Sequence, residues 1–145
     1  MTFLIVPRFN MATLITMIEP LRIANYLSPQ PLYQWDILSH DGTDITASNG
    51  LTVAAAPPTD QNRRGEVIFV LASWGGETYA NRDTLAWLRR RSRDGARICP
   101  VELGSYLVAK AGAVVGPTDS GALVLGAGVS GTVFQYSGYR AFVHI

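Results

Sequence analysis

Four apolar residues in a row, Phe3 to Val6, stand near the start of the chain, after which Met11, Leu14, Ile15, Ile18, Leu21 and Ala24 recur at helical spacing. An unbroken apolar run suits a strand covered on both faces, and the three-to-four spacing suits a helix with one buried stripe. The pattern predicts a strand feeding a helix, with Asn10 as its N-cap. Pro20 falls inside the helical pattern, where it removes a backbone donor, so a kink or division is predicted there.

The pattern then alternates through YQWDILSHDGTDITASNGLTVAAAP, with turn signals at Asp41-Gly42 and Asn49-Gly50. This predicts a strand followed by shorter extended pieces. The polar, proline-led APPTDQNRRG reads as a surface connection, because the apolar halves on either side are each too small to stand alone. Val67 to Ala72 is a second buried run, ending in Ser73-Trp74-Gly75-Gly76, and Asp83 to Arg93 reads as a helix closed by Gly95. Arg97 to Val101 and a helix after Gly104 make a third strand-helix unit. Repeated units of this kind predict an α/β sandwich with a mainly parallel sheet. Ligands in such folds sit outside the carboxyl ends of the strands, so the loops at Phe9-Asn10, Ser73 to Gly76 and Glu102-Leu103 are expected to converge.

A chain of 145 residues suits one domain without a covalent staple. One cysteine excludes an internal disulfide, and two distant histidines leave no Cys/His zinc spacing, so no structural metal is expected. Twelve basic and 11 acidic residues give a net charge of +1, which does not favour nucleic acid or an anionic membrane. Arg89, Arg90, Arg91 and Arg93 follow Leu85 and Leu88 on the predicted helix and are read as its solvated outer face. The opening apolar run stops at Pro7, too short for a signal core or a membrane span, so a cytoplasmic protein with no membrane partner is expected.

Candidate chemistry centres on Glu102, at the strand-to-helix turn where a nucleophile elbow would hold a cysteine or serine. A carboxylate there attracts a cation or amine and attacks acyl centres poorly. The competing role is a carboxylate stabilised at the start of the following helix, worth under about 1 kcal/mol. Cys99, three residues earlier in the predicted strand, is read as inert packing. Trp74, beside Gly75 and Gly76, is placed to wall a pocket, and an aromatic face near a carboxylate suits a quaternary ammonium. Asn10 and Asn49 compete between ligand contact and the local roles of N-cap and turn residue. The candidate ligand-binding set is therefore Asn10, Asn49, Trp74, Gly75, Gly76, Glu102 and Leu103, with no catalytic residue, metal ligand or cofactor among the expectations.

The segments FLIVPRFNMATLITMIEPLRIANYLS, LYQWDILSHDGTDITASNGLTV, VIFVLASWGG, TLAWLRRRSRDGARI and ELGSYLVAKAG follow one another between residues 3 and 112. Together they resemble the amino-terminal domain of GlxA-type AraC-family transcriptional regulators, a group that includes sensors of arginine, glycine betaine and carnitine catabolism. The resemblance implies a flavodoxin-like three-layer sandwich of the ThiJ/PfpI and class I glutamine amidotransferase type, C-terminally truncated here. Enzymatic members of that superfamily use an elbow cysteine, a nearby histidine and often a glutamate after the first strand. This chain has Glu102 at the elbow, no carboxylate near Ala12, and no histidine after the elbow until His144. The implied function is a non-catalytic sensor of a small amine or amino-acid-like metabolite. It would act as a homodimer and reach DNA only through a helix-turn-helix domain that is not in this chain. A ThiJ/PfpI-like hydrolase or glyoxalase-type enzyme is the alternative, and it requires an activated Glu102 or Cys99. Arg22, shared with the resembling proteins, is expected in a buried or interface ion pair.

The resemblance ends after Gly116, so residues 1–116 are read as the sensor domain and 117–145 as an atypical glycine-rich tail, the product of truncation or an altered reading frame. One or two strands or a poorly ordered end are expected there. Gly126, Gly128 and Gly131 have the spacing of a dinucleotide fingerprint, which also needs a following helix and an acidic residue about 20 positions on. Only 14 residues follow Gly131, none acidic, so the match is read as coincidence.

Overall fold

The computed structural model describes residues 1–58 and 66–113, together with the backbone of three strands between residues 124 and 143. Strand β1 (Thr2–Ile5) leads into helix α1 (Met11–Leu27), then come β2 (Asp36–Leu38) and a small hairpin of β3 (Ile45–Thr46) and β4 (Thr52–Val53). Strand β5 (Val67–Ala72), helix α2 (Arg82–Arg93), strand β6 (Arg97–Glu102) and helix α3 (Gly104–Ala111) follow. Strands β2, β1, β5 and β6 form one sheet in that order, every pairing parallel. The chain steps from β1 to β2 on one side and later to β5 and β6 on the other, which puts the switch in direction between β1 and β5. Open parallel sheets bind their ligands at such a point, beyond the carboxyl ends of the strands.

The two faces of the sheet build separate cores because successive residues of a strand point to opposite sides. Phe3 and Ile5 pack with Phe9, Met11, Leu14, Ile45 and Ala47, under α1 and the hairpin. Leu4 and Val6 pack with Ile68, Val70, Trp87, Leu88, Leu107 and Val108, under α2 and α3. Each apolar side chain so buried contributes about 1.5–3 kcal/mol. The hairpin is joined to the loop after β1 by Arg8 N–H to Thr46 O at 2.9 Å and Ser48 N–H to Phe9 O at 2.9 Å. The three-layer parallel sandwich expected from the sequence is the fold observed.

The structure bears on three local expectations. Of the kink or division expected at Pro20, helix α1 shows no division. Pro20 lies on the exposed side, where the Thr16 carbonyl that loses its intrahelical donor can face water. Arg91 is not on a solvated face. It is 1% exposed and paired with Glu66, whose other carboxylate oxygen accepts the Thr2 hydroxyl at 2.5 Å. Thr84, Trp87, Leu88 and Arg91 recur as i, i+3, i+4 and i+7 and form the buried face of α2, while Arg89, Arg90 and Arg93 stay exposed. Arg22 is ion-paired as expected, but the pair is exposed rather than buried. Its Nη2 meets Glu19 Oε2 at 2.7 Å on the open surface of α1.

In the tail, β7 (Val124–Gly128), β8 (Gly131–Tyr136) and β9 (Tyr139–Val143) form an antiparallel meander, three strands where one or two were expected. Gly128 pairs with Gly131 across a hairpin. The three glycines therefore lie on paired strands, with no helix start to hold a pyrophosphate. The expected boundary at residue 116 and His144 lie outside the described residues. No helix among the described residues is long and apolar enough to cross a membrane.

Candidate functional site

At the end of β6 the backbone turns through Glu102, whose φ is +51°. A non-glycine residue in this region costs about 1–2 kcal/mol, so the surrounding packing must hold it there. Gly104 provides part of that constraint. A Cβ at this position would lie 2.0 Å from the Val70 carbonyl oxygen, so the elbow closes onto β5 only because residue 104 has no side chain. The turn is fixed further by Leu103 N–H to Ala72 O at 3.0 Å and by the Ser105 hydroxyl to Glu102 O at 3.3 Å. Gly76 brings the loop after β5 against the elbow, since a Cβ there would stand 3.1 Å from the Cβ of Leu103. These contacts bring the loops after β5 and β6 together as expected.

The Glu102 side chain crosses to the start of α1. Its Oε1 accepts from Asn10 Nδ2 at 3.0 Å and from the Thr13 hydroxyl at 2.5 Å. Asn10 is also the N-cap of α1, its Oδ1 accepting from the N–H groups of Ala12 at 3.0 Å and Thr13 at 3.5 Å. The N-cap role weighed for Asn10 is thus observed, and the other end of its amide is taken up by Glu102. The carboxylate also lies at the positive end of the α1 dipole. It does not cap the helix that follows it: α3 begins after Leu103 with no side-chain cap bond. Glu102 is an exposed residue, and among the described residues no hydrogen bond to its Oε2 is found.

A cleft of about 400 Å³ opens on the other side of the elbow, lined by Ser73, Trp74, Gly75, Glu77, Leu103 and Tyr106. Trp74 is 68% exposed, an open aromatic face rather than a lid over the sheet end. Three of the expected residues, Trp74, Gly75 and Leu103, line this cleft. Gly76 packs behind it, while Asn10 and Glu102 belong to the adjoining polar contact with Thr13, where no comparable space remains. Asn49 lines neither: its Oδ1 accepts from Leu51 N–H at 3.1 Å in the hairpin turn. The acid that lines the cleft beside Trp74 is Glu77, which the sequence did not single out. The Lys110 ammonium, on the last turn of α3, donates to the backbone carbonyls of Glu77 and Tyr79 and so braces that loop.

Cys99 lies inside β6, half-buried, three residues before the elbow. Burial pushes its thiol above the usual range, only partly countered by Arg97, so the nucleophilic thiolate is disfavoured. Among the described residues, no three His, Cys, Asp or Glu side chains are grouped to hold a metal ion.

No protein-family model matches the chain. The HTH-type transcriptional regulator CdhR of Pseudomonas aeruginosa is 32% identical over 114 residues, covering 79% of this chain and 34% of that protein. The HTH-type transcriptional regulator GlxA of Rhizobium meliloti is 38% identical over 113 residues, covering 76% of this chain and 34% of that protein. The chain spans about a third of the length of these curated relatives. Among solved structures, an AraC family transcriptional regulator from Pseudomonas putida superposes with a TM-score of 0.64 at 20% identity, over 77% of this chain and 60% of that one. A ThiJ/PfpI family protein from Pseudomonas syringae gives 0.57 at 18% identity, over 79% of this chain and 46% of that one.

Proposed function

We propose, on the premise that this chain is a homologue of the GlxA-type AraC-family transcriptional regulators with a ThiJ/PfpI-like fold, that it is a sensing domain which binds a small cationic or amino-acid-like metabolite without turning it over. The observation that carries this reading is the elbow. A strained strand-to-helix turn of the kind that presents a nucleophile here presents Glu102, hydrogen-bonded to α1 and next to an open aromatic cleft. A carboxylate held by two donors is suited to binding and poorly suited to attack on an acyl carbon.

The cleft sets the ligand class. Trp74 and Tyr106 offer faces to a cation, a contact worth about 0.5–2 kcal/mol, Leu103 takes an aliphatic portion, and Glu77 supplies the opposite charge. Binding beside the elbow would bear on the Asn10–Glu102 contact and so on α1. In a regulator, that is a route from ligand to the rest of the molecule.

A thermal-shift screen of the chain against arginine, glycine betaine, carnitine and neutral isosteres tests this. At least one cationic compound is expected to raise the melting temperature, with the shift lost in Trp74→Ala and reduced in Glu102→Gln. Equal shifts in wild type and Trp74→Ala would remove the cleft from the account. Glyoxalase, amidase and peptidase assays are expected to read zero, unchanged by Cys99→Ser.

A further inference from the structure

The cleft beside the elbow is lined by a carboxylate, Glu77, two aromatic rings, Trp74 and Tyr106, and the aliphatic Leu103, with no basic side chain among its lining residues. A second carboxylate stands one residue from that lining, because Glu102 precedes Leu103 in the chain. Asn10 and Thr13 both donate to its Oε1, but an amide and a hydroxyl are neutral and leave its charge in place. The start of α1 offsets that charge only in part, being equivalent to about half an elementary charge. Two negative groups therefore flank Leu103, one on the cleft side of the elbow and one on the α1 side. The Lys110 ammonium, which reaches the cleft loop, is taken up by the backbone carbonyls of Glu77 and Tyr79.

We infer that the ligand is a dication, an aliphatic diamine with one ammonium at Glu77 and the other at Glu102, rather than an amino acid or a betaine. This rests on the cleft being a sensing site and narrows what that site takes. A zwitterion would bring its own carboxylate to a surface that holds two negative groups and no lining base. Like charges set against each other weaken binding, and an anion stripped of water without a partner weakens it further. A second ammonium instead meets the Oε2 of Glu102, to which no hydrogen bond is found among the described residues. Trp74, Leu103 and Tyr106 supply an apolar wall along which a methylene chain lies, and the ring faces favour the ammonium beside them.

Three compounds of one chain length separate the two ends of the ligand: cadaverine, with two ammonium groups; δ-aminovalerate, with an ammonium and a carboxylate; and pentylamine, with an ammonium and a methyl group. Calorimetric titration into the full chain is expected to show cadaverine binding about tenfold or more tighter than pentylamine, and pentylamine tighter than δ-aminovalerate. Glu102→Gln keeps an oxygen for Asn10 and Thr13, and it is expected to bring cadaverine down to the affinity of pentylamine while leaving pentylamine unchanged. Glu77→Gln is expected to weaken both amines. If Glu102 only shapes the site, its neutralisation weakens the two amines alike, and that result overturns the assignment. So does δ-aminovalerate binding as tightly as cadaverine, which would leave a sensing site of another ligand class. Failure of cadaverine to bind where another amine of the screen binds overturns the diamine alone, and failure of every amine overturns the sensing site with it.

Discussion

Glu102 is held at an unfavourable backbone angle by Gly104 beneath it and by Asn10 and Thr13 across from it. Gly104→Ala would set a methyl group into the Val70 carbonyl, and overpacking of this kind costs about 1–3 kcal/mol or more. Chemical denaturation is expected to show that loss; an unchanged midpoint would mean that the elbow is not closed onto β5 as described. Cys99 gives a pH-dependent prediction. Its folded-state value is raised, so its contribution to stability is complete below the ordinary thiol range and is lost as pH climbs through the raised value. Unfolding midpoints of wild type and Cys99→Ala should therefore run parallel at neutral pH and converge or cross above about pH 8.5. At this scale the sequence located the elbow and the capping role of Asn10, because turn chemistry and capping are local. It missed Thr13 and Glu77, whose importance comes from the groups brought opposite them by the fold.

Helix α2 shows how spacing can outweigh composition. Four arginines in five positions read as a solvated run, yet Arg91 stands at the i+7 position of the stripe begun by Thr84 and is buried against Glu66. The spacing was visible in the sequence. Its partner was not, since Glu66 follows a polar connection 25 residues earlier. Breaking a buried ion pair from one side leaves a charge uncompensated and costs about 3–5 kcal/mol. Glu66→Ala and Arg91→Leu are each expected to destabilise by that order in urea denaturation, and the double variant by less than the sum of the two. Additive losses would show that the two side chains do not act as a pair. Pro20 makes the complementary point: a local rule predicted a kink or division, and the buried stripe of α1 keeps the helix undivided where the lost bond faces water.

At the level of the whole molecule, the order of buried runs and helical stripes was enough to predict a parallel sheet and to gather three loops at one end of it. The division of that end into two parts was not legible. A carboxylate contact faces α1 and an aromatic cleft faces α3, with Leu103 between them, because the sharp backbone turn at Glu102 sends adjacent side chains to opposite sides. The Glu102 carboxylate is held by the N-cap Asn10 and by Thr13 in the first turn of α1, which ties the elbow directly to that helix.

Calorimetric titration of the most strongly stabilising cationic compound into wild type and Glu77→Gln tests the central claim directly. The account predicts saturable one-site binding to wild type that is weakened at least tenfold, about 1.4 kcal/mol, when the cleft's carboxylate is neutralised. Equal affinity in the two proteins, or no heat of binding with any of the amines, would contradict it.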